Sequence, residues 1–230
     1  MMKSIAASFL GLAIASASGA HAGDFLATFD DLPNGPTAAN PALPLNEAVN
    51  PPVSGNATYG GVVWDSNFSV ASVSYHISDT GPAFGLSHSG QDYLTTATDG
   101  VSITTSMVLT EAWFGRCQYY GFSNGTDQVT VNAMHFNQVL ASVTLNLPLT
   151  DPGQPEPLVR MDTSSFLSLS GITGYTINRD TVDPTYGANN WIGDDFNFVS
   201  VPESPSFAVV TAAALALGFS VSRRRGRASL

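Results

Sequence analysis

The chain has 230 residues, of which 43% are hydrophobic and only 11% are charged, and its formal net charge is −10. All 18 acidic residues but only three of the 8 basic ones (Arg116, Arg160 and Arg179) lie between Gly23 and Glu203, so this stretch carries a charge of −15. Such acidity repels phosphate backbones and excludes nucleic acid as a partner. It is compatible with divalent cations, with neutral glycans and with simple solubility.

The N-terminal residues have the layout of a secretory signal peptide, which we predict for residues 1–22. A short positive start, Met1–Lys3, precedes an apolar stretch, Ile5–Ala15, and the small-x-small sequence Ala20-His21-Ala22 forms a cleavage site. We therefore expect export across the inner membrane through the Sec translocon. The mature domain, residues 23–200, is long enough to bury one core.

A long connection rich in Pro, Asn and Ala occupies residues 32–57, with prolines at positions 33, 36, 41, 44, 51 and 52. A loop of this length is unusual inside a compact domain. Two interpretations remain open, a mobile flap and an extended segment lying across the domain. Its few large apolar residues cannot form a separate core.

The rest of the mature chain alternates short β-branched and aromatic runs with turn residues, which is typical of an all-β domain. Asp99-Gly100 and Asn124-Gly125 are tight-turn signals, and Asp162–Leu169 is compatible with one helical turn capped by Asp162 or Thr163. Many short strands in a chain of this size predict a two-sheet sandwich. We predict strands near Phe25–Phe29, Gly61–Trp64, Phe68–Val73, Ala83–Leu86, Tyr93–Ala97, Val101–Thr105, Leu109–Phe114, Gln118–Phe122, Gln128–Ala133, Gln138–Leu145, Pro157–Met161, Gly174–Asn178 and Asp194–Val199.

No pattern in the sequence identifies a catalytic residue. The mature domain's histidines, at positions 76, 88 and 135, lack zinc-motif spacing, and the lone cysteine, Cys117, lies in a strand-like stretch where we expect it to be buried and inert. Ser87-His88-Ser89 invites comparison with serine hydrolases but is not a Gly-x-Ser-x-Gly elbow, and a turn-forming loop is the better interpretation. A glycan-active hydrolase stays as an alternative without a nameable site.

Two acidic pairs, Asp30-Asp31 and Asp194-Asp195, lie near the two ends of the domain. If the first and last strands are neighbours, these pairs approach each other, although strand alternation lets only one member of each pair face a shared site. Converging carboxylates with backbone carbonyls suit a structural Ca²⁺ ion. Solvated aspartates at strand ends are the alternative.

Aromatic side chains offer flat faces on which sugar rings stack. Trp113 alternates with apolar neighbours, so we expect it in the core, whereas Trp191 follows the polar sequence Tyr186-Gly187-Ala188-Asn189-Asn190, where we expect exposure. Trp191 and Tyr186, with Asn189 and Asn190 as hydrogen-bonding partners, are therefore the predicted glycan-binding residues. For any single aromatic residue, packing is the competing interpretation.

A series of short motifs runs along the mature domain: Thr28-Phe29-Asp30-Asp31-Leu32, Tyr59-Gly60-Gly61-Val62-Val63-Trp64, Asn67-Phe68, Thr110-Glu111-Ala112-Trp113-Phe114, Gly121-Phe122, Leu167–Gly174 and Gly193-Asp194-Asp195-Phe196. Their order resembles that in bacterial jelly-roll domains of the carbohydrate-binding-module type. The resemblance implies a jelly-roll sandwich, and it concerns fold more than function.

Three parts make up the C-terminal residues 201–230: Val201-Pro202-Glu203-Ser204-Pro205, an uncharged apolar segment at 206–221, and the cluster Arg223, Arg224, Arg225 and Arg227. The segment is near the short limit for spanning a bilayer, and the arginines hold their end in the cytoplasm. This arrangement resembles the PEP-CTERM sorting signal of Gram-negative bacteria, with Pro-Glu-Ser-Pro in place of Pro-Glu-Pro. An ordinary membrane anchor is the alternative.

The resemblance to the sorting signal implies that an exosortase processes the chain, which contacts the inner membrane transiently. It also implies a destination at the cell surface or in the extracellular matrix of a biofilm. We therefore expect a non-catalytic module that interacts with extracellular polysaccharide. A structural matrix or adhesion protein without a specific sugar ligand is the alternative.

Overall fold

The structure, a computed structural model of the chain, describes residues 23–74, 86–96, 98–117, 126–148, 157–179 and 191–201. The predicted signal peptide, residues 1–22, and residues 202–230 of the predicted sorting signal lie outside these ranges, as do the predicted strand Gln118–Phe122 and most of Ala83–Leu86. All of these stay predictions. Within the described ranges, no helix is long and apolar enough to cross a membrane.

The described residues form thirteen strands, one short α-helix and one 3₁₀ helix. In chain order the elements are β1 Phe25–Ala27, β2 Ala42–Pro44, α1 Leu45–Ala48, β3 Ala57–Tyr59, β4 Val62–Trp64, β5 Phe68–Ser72, β6 Asp92–Thr96, β7 Val101–Thr104, β8 Val108–Arg116, β9 Gln128–His135, β10 Gln138–Asn146, β11 Val159–Asp162, the 3₁₀ helix Ser164–Ser168, β12 Gly174–Arg179 and β13 Trp191–Val199.

The strands form two antiparallel sheets packed as a sandwich, which confirms the predicted all-β architecture. The seven-stranded sheet has the order β11-β8-β13-β6-β5-β2, and β1 pairs with β13. The six-stranded sheet has the order β10-β9-β12-β7-β4-β3. Alternation explains why the two sheets pack together, since in β9 Val129, Val131 and Ala133 enter the core while the residues between them face away.

Aromatic rings fill the centre of the sandwich. Trp64 is fully buried and makes edge-to-face contacts with Phe29, Phe68, Phe196 and Phe198, at centroid distances of 5.4, 5.7, 5.5 and 6.0 Å. Such contacts stabilise aromatic pairs by about 0.5–1.5 kcal/mol each beyond their burial. The core therefore ties β13, the last strand, to β4 in the opposite sheet.

The proline-rich segment 32–57 is neither a flap nor a plain extended strap. It contains β2, the single turn α1 and the start of β3, and β2 pairs with β5. Leu43, Leu45 and Val49 are buried in the main core, which explains why a segment with so few apolar residues is ordered. Their spacing follows neither helix nor strand for long enough to predict these elements from sequence.

Two smaller predictions are confirmed. Asp99-Gly100 lies between β6 and β7, with Gly100 at a φ of +69°, the conformation that favours glycine in tight turns. The 3₁₀ helix occupies the predicted helical turn, where the Asp162 carboxylate accepts a hydrogen bond from the Ser164 amide at 2.9 Å. Asn124-Gly125 lies outside the described residues.

The two sheets differ on their outer faces. On the seven-stranded sheet a second apolar cluster, formed by Ala71, Tyr93, Cys117, Leu158 and Ile192, is buried, so much of this sheet is covered on both sides. The predicted burial of Cys117 is confirmed. The outer face of the six-stranded sheet carries polar side chains instead.

Candidate functional site

The first and last strands are paired, as expected. In the antiparallel register of β1 and β13, Phe25 lies opposite Phe198 and Ala27 opposite Phe196. Asp30-Asp31, which follows β1, and Asp194-Asp195, which lies within β13, are consequently brought to one end of the sheet, near the loop (residues 86–91) that leads into β6.

A β-bulge in β13 turns both of its aspartates toward that loop. Asp194 lies opposite Trp113 and Asn197 opposite Glu111, so β13 has one extra residue here, and Asp195 adopts a φ of +50°. The expectation that only one member of the pair faces a shared site is therefore wrong for this pair. Strict alternation holds only for a regular strand, and the bulge interrupts it.

The loop before β6 is held by both carboxylates. Asp194 Oδ2 accepts hydrogen bonds from the backbone amides of His88 and Ser89, each at 2.9 Å. Asp195 accepts one from the Ser89 hydroxyl at 2.7 Å, and its other oxygen lies 2.5 Å from His88 Nδ1. The His88 ring also stacks on Trp113, with centroids 3.5 Å apart.

Asp30 fixes the far end of the same loop. One oxygen of its carboxylate accepts hydrogen bonds from the amides of Gln91 at 2.7 Å and Asp92 at 3.0 Å. Gly90, at a φ of +51°, passes so close that an added Cβ would lie 1.9 Å from the Asp30 carboxylate. Asp31 points elsewhere and accepts a hydrogen bond from the Tyr59 hydroxyl.

The predicted calcium ligands thus do not converge on one point. Asp30, Asp194 and Asp195 direct oxygens to donors of one loop, and within the described ranges no group of three or more His, Cys, Asp or Glu residues is arranged to hold a metal. A structural Ca²⁺ ion at these residues stays a prediction that this arrangement does not favour.

Burial raises the pKa values of two aspartates at this end of the sheet, Asp194 and Asp92. Burial raises the pKa of Asp194 to about 7, against the lowering effect of the Ser89 amide, and the neighbouring Asp195 charge raises it further. Burial, with the Asp30 charge, raises the pKa of Asp92 to about 6. At neutral pH, this end of the sheet therefore holds carboxyl groups that are partly protonated.

The Ser-His-Asp combination in this loop lacks the order of a catalytic relay. The Ser89 hydroxyl donates to Asp195 rather than to the His88 ring, so serine and histidine are both partners of one carboxylate. In a relay the histidine stands between the serine and the aspartate. The geometry is that of a loop clamp, in agreement with the turn-forming interpretation.

The expectation of an exposed Trp191 is wrong. Its side chain is 0% exposed and packs edge-to-face on Phe114 at 5.3 Å and Phe68 at 6.1 Å, so no sugar can reach the ring. The polar residues that precede it (Tyr186, Asn189 and Asn190) lie outside the described residues, and their role stays a prediction. Trp113, expected in the core, is instead half-buried on the outer side of its sheet.

The outer face of the six-stranded sheet forms a surface that the sequence analysis missed. Along most of β9, β10 and β12, polar side chains that point away from the core alternate with inward-facing Val, Ala, Leu, Tyr or Ile. Met134 on β9 is an apolar exception, and its sulfur lies 4.0 Å from the Thr176 hydroxyl. The signal was visible as alternating Thr, Asn, Ser and Gln. We call this surface the polar face; it comprises Gln128, Thr130, Asn132, Ser142, Thr144, Asn146, Thr176 and Asn178.

Hydrogen bonds between neighbouring strands fix the side chains of the polar face. Asn132 is at the centre, accepting from the Ser142 hydroxyl at 2.6 Å and donating to the Thr176 hydroxyl at 3.0 Å. The Thr130 and Thr144 hydroxyls lie 2.9 Å apart. Asn132 itself is only 8% exposed. The hydrogen-bonding capacity left for a ligand therefore belongs to its exposed neighbours such as Ser142 and Thr144, since a hydroxyl has one donor and two acceptor positions.

The polar face is almost without charge in a strongly acidic chain. Among the residues of β7, β9, β10 and β12, Arg179 is the one formally charged side chain, at the end of β12. Across Ser142, Asn132 and Thr176, consecutive neighbours on three strands, the polar face extends about 10 Å, two strand spacings. Such a surface can present an ordered array of neutral hydrogen-bonding groups to a ligand.

Comparisons with known proteins give the fold only. No protein-family model and no curated protein matches the chain. Among solved structures, a DUF4465 family protein from Bacteroides caccae is similar, with a TM-score of 0.50 and 12% identity over 77% of this chain and 99% of that chain.

Two further structures are less similar. The cleaved adhesin domain of Lys-gingipain gives a TM-score of 0.41 at 12% identity, over 77% of this chain and 98% of that chain. A DUF4465 family protein from Bacteroides ovatus gives 0.44 at 10% identity, over 76% and 98%. The similarity to the first structure supports the β-sandwich and carries no function with it.

Proposed function

We propose that this protein is an exported, non-catalytic module that binds neutral extracellular polysaccharide through the polar face. The observation that carries the proposal is the uncharged, hydrogen-bonded array of amide and hydroxyl side chains on the open side of the six-stranded sheet. Neutral sugars present hydroxyl groups that both donate and accept hydrogen bonds. Side chains that are already fixed by their neighbours lose little conformational freedom when they bind such groups.

Charge supports a neutral ligand over an anionic one. The stretch from Gly23 to Glu203 carries −15, so an acidic polymer is repelled at long range. A neutral chain feels no such repulsion and meets a face whose strands have no acidic residue.

The destination of the protein is inferred from the two ends of the sequence. A signal peptide at residues 1–22 and a PEP-CTERM-like signal from Val201 onward support export, exosortase processing and a place at the cell surface or in the matrix. The resemblance to jelly-roll carbohydrate-binding modules agrees with this proposal.

The test uses titration calorimetry to measure the affinity of the unaltered protein and of the Thr130→Val variant for the extracellular polysaccharide of the producing cells. Valine keeps the branched shape that a strand favours but removes one hydroxyl of the polar face, so we expect affinity to fall about 2- to 10-fold. Thr58→Val is the matched control, since Thr58 is an exposed threonine on β3, the opposite edge of the same sheet and three strands from β12, and should leave affinity unchanged.

Three outcomes separate the candidate functions. Absence of saturable binding with and without chelator removes the binding proposal and favours a structural matrix role. Binding that is lost with chelator assigns the interaction to calcium instead of to the polar face. A decrease in polysaccharide length during incubation identifies a hydrolase.

A further inference from the structure

The edge strands of the two sheets differ in how well they are protected against pairing with another chain. An edge strand exposes unpaired backbone groups and is normally kept short, charged or interrupted by proline. Here β1, β2 and β3 have three residues each, and β2 ends in Pro44. The four-residue β11 carries Arg160 and Asp162.

Strand β10 has none of these protections. It has nine residues, Gln138–Asn146, without charge, proline or glycine, and within the described ranges it pairs with β9 alone. Val139 and Leu140 are 56% and 38% exposed. A bulge near Leu140 interrupts the ladder, but pairing is regular from Ala141 to Asn146, which leaves a continuous edge for another strand.

The regular part of β10 is complementary to itself. In an antiparallel pair centred on Thr144, Ser142 lies opposite Asn146 and Val143 lies opposite Leu145. Val143 and Leu145 pack toward the core, whereas Ser142, Thr144 and Asn146 are exposed. Apolar side chains therefore meet apolar ones on one face and polar ones meet polar ones on the other, as cross-strand pairing requires.

Electrostatics favours this edge for contact between two copies. Two domains that each carry −15 between Gly23 and Glu203 repel each other over most of their surfaces. An approach along β10 brings together edges that carry no charge, so the repulsion is smallest there. A partner of opposite charge has nothing on this strand to bind.

We infer that β10 is a self-association surface, through which two copies of the chain join their six-stranded sheets edge to edge around a two-fold axis at Thr144. Each copy uses the same strand, so the contact is isologous and closes at two copies. The shorter or charged edges elsewhere prevent growth into a fibre.

The first experiment is sedimentation velocity over a concentration series in buffers of low and moderate salt. We expect a monomer–dimer equilibrium that salt strengthens, because salt screens the repulsion between two acidic domains. Thr144→Lys places two like charges opposite each other and should weaken the dimer about fivefold or more. Thr58→Lys, with the same charge change on the opposite edge strand β3, should leave the dimer intact.

The second experiment tests the register by disulfide formation under mild oxidation. Two Thr144→Cys side chains would face each other with Cβ atoms about 5 Å apart, close enough for a disulfide after small adjustments. Two Gln138→Cys side chains would lie about 40 Å apart along the paired strands. Cys117 is buried and should contribute no background.

Preferential cross-linking of Thr144→Cys supports the inference without any polysaccharide, so it is independent of the proposed function. The inference is overturned if the protein sediments as a monomer at every concentration. It is equally overturned if Thr144→Cys links no faster than Gln138→Cys, or if salt weakens the dimer.

Discussion

At the scale of single residues, the aspartates that looked like metal ligands act as acceptors for one loop. Asp194 binds the amides of His88 and Ser89, and Asp195 binds their side chains. A buried carboxyl group that accepts several hydrogen bonds satisfies donors that would otherwise be left without partners. The sequence thus identifies the aspartates that organise this end of the sheet, but they accept hydrogen bonds from the protein where metal coordination was predicted.

The raised pKa of Asp194 predicts a loss of stability with rising pH. Its pKa in the folded protein, about 7, lies above the ordinary value of 3.8, so the folded state binds the proton more tightly. The resulting stabilisation is complete below pH about 4 and is lost as the pH rises through about 7. The groups that face Asp194 are His88 and Asp195, and Asp92, with its pKa raised to about 6, acts in the same direction.

We therefore expect the midpoint temperature of thermal unfolding to decrease as the pH is raised from 5 to 8. The decrease should be smaller in the Asp194→Asn variant, whose side chain cannot ionise. Circular dichroism melts at matched ionic strength measure both. Asp162→Asn is the control, because the Ser164 hydroxyl and amide lower the pKa of this exposed carboxyl. A lowered pKa stabilises the folded protein as the pH rises, so this substitution should not reduce the decrease in the midpoint temperature. A midpoint that rises over this range in the unaltered protein would contradict the assignment.

At the scale of elements, the sequence predicts strands correctly where core and surface residues alternate over a long stretch. It does not predict features that depend on pairing or packing with strands distant in the chain. The strands β9, β10 and β12 follow their predicted ranges closely, because each alternates core and surface residues over most of its length. The bulge in β13 leaves no mark in its sequence, since only the pairing with β8 defines it. Trp191 was misplaced for a similar reason: its polar neighbours suggested a loop, whereas the facing sheet buries it.

The loop before β6 depends on a glycine at one position. We expect Gly90→Ala to reduce the free energy of unfolding by about 2–4 kcal/mol, from the positive φ and from collision with Asp30. Gly61→Ala is the matched control: its φ is +77° but nothing lies within 4 Å of the added Cβ, so about 1 kcal/mol is expected. Urea unfolding of both variants measures the difference, and equal losses would show that the loop does not lie against Asp30.

At the scale of the whole molecule, the distribution of charge is the main feature. The domain is strongly acidic, whereas the polar face and the edge strand β10 of its six-stranded sheet carry no acidic residue. The net charge was evident from the sequence, but the placement of the neutral surfaces was not, because it depends on which strands become neighbours. Both proposed interactions use surfaces where the repulsive field of the domain is weakest.

Self-repulsion also predicts how the fold responds to salt. We expect the thermal midpoint to rise when NaCl is increased from about 10 to about 200 mM, because the screening length falls from about 30 Å to about 8 Å. The melts are recorded with chelator present, so that metal binding does not contribute, and are repeated with KCl to exclude an ion-specific effect. A midpoint that is independent of salt would mean that the acidic charges are too far apart to oppose folding.

The pairing of β1 with β13 has a mechanical consequence. The Ser200 amide donates to the Asp24 carboxylate at 3.1 Å, so the chain enters and leaves the domain side by side. Tension applied to the chain beyond Val201 reaches the sandwich through β13, which is held by β8 along one side and by β1 and β6 along the other. Extraction of that strand requires rows of hydrogen bonds to shear together, and the Phe196 and Phe198 rings must leave the core with it. A domain built in this way is suited to hold its shape under flow or traction.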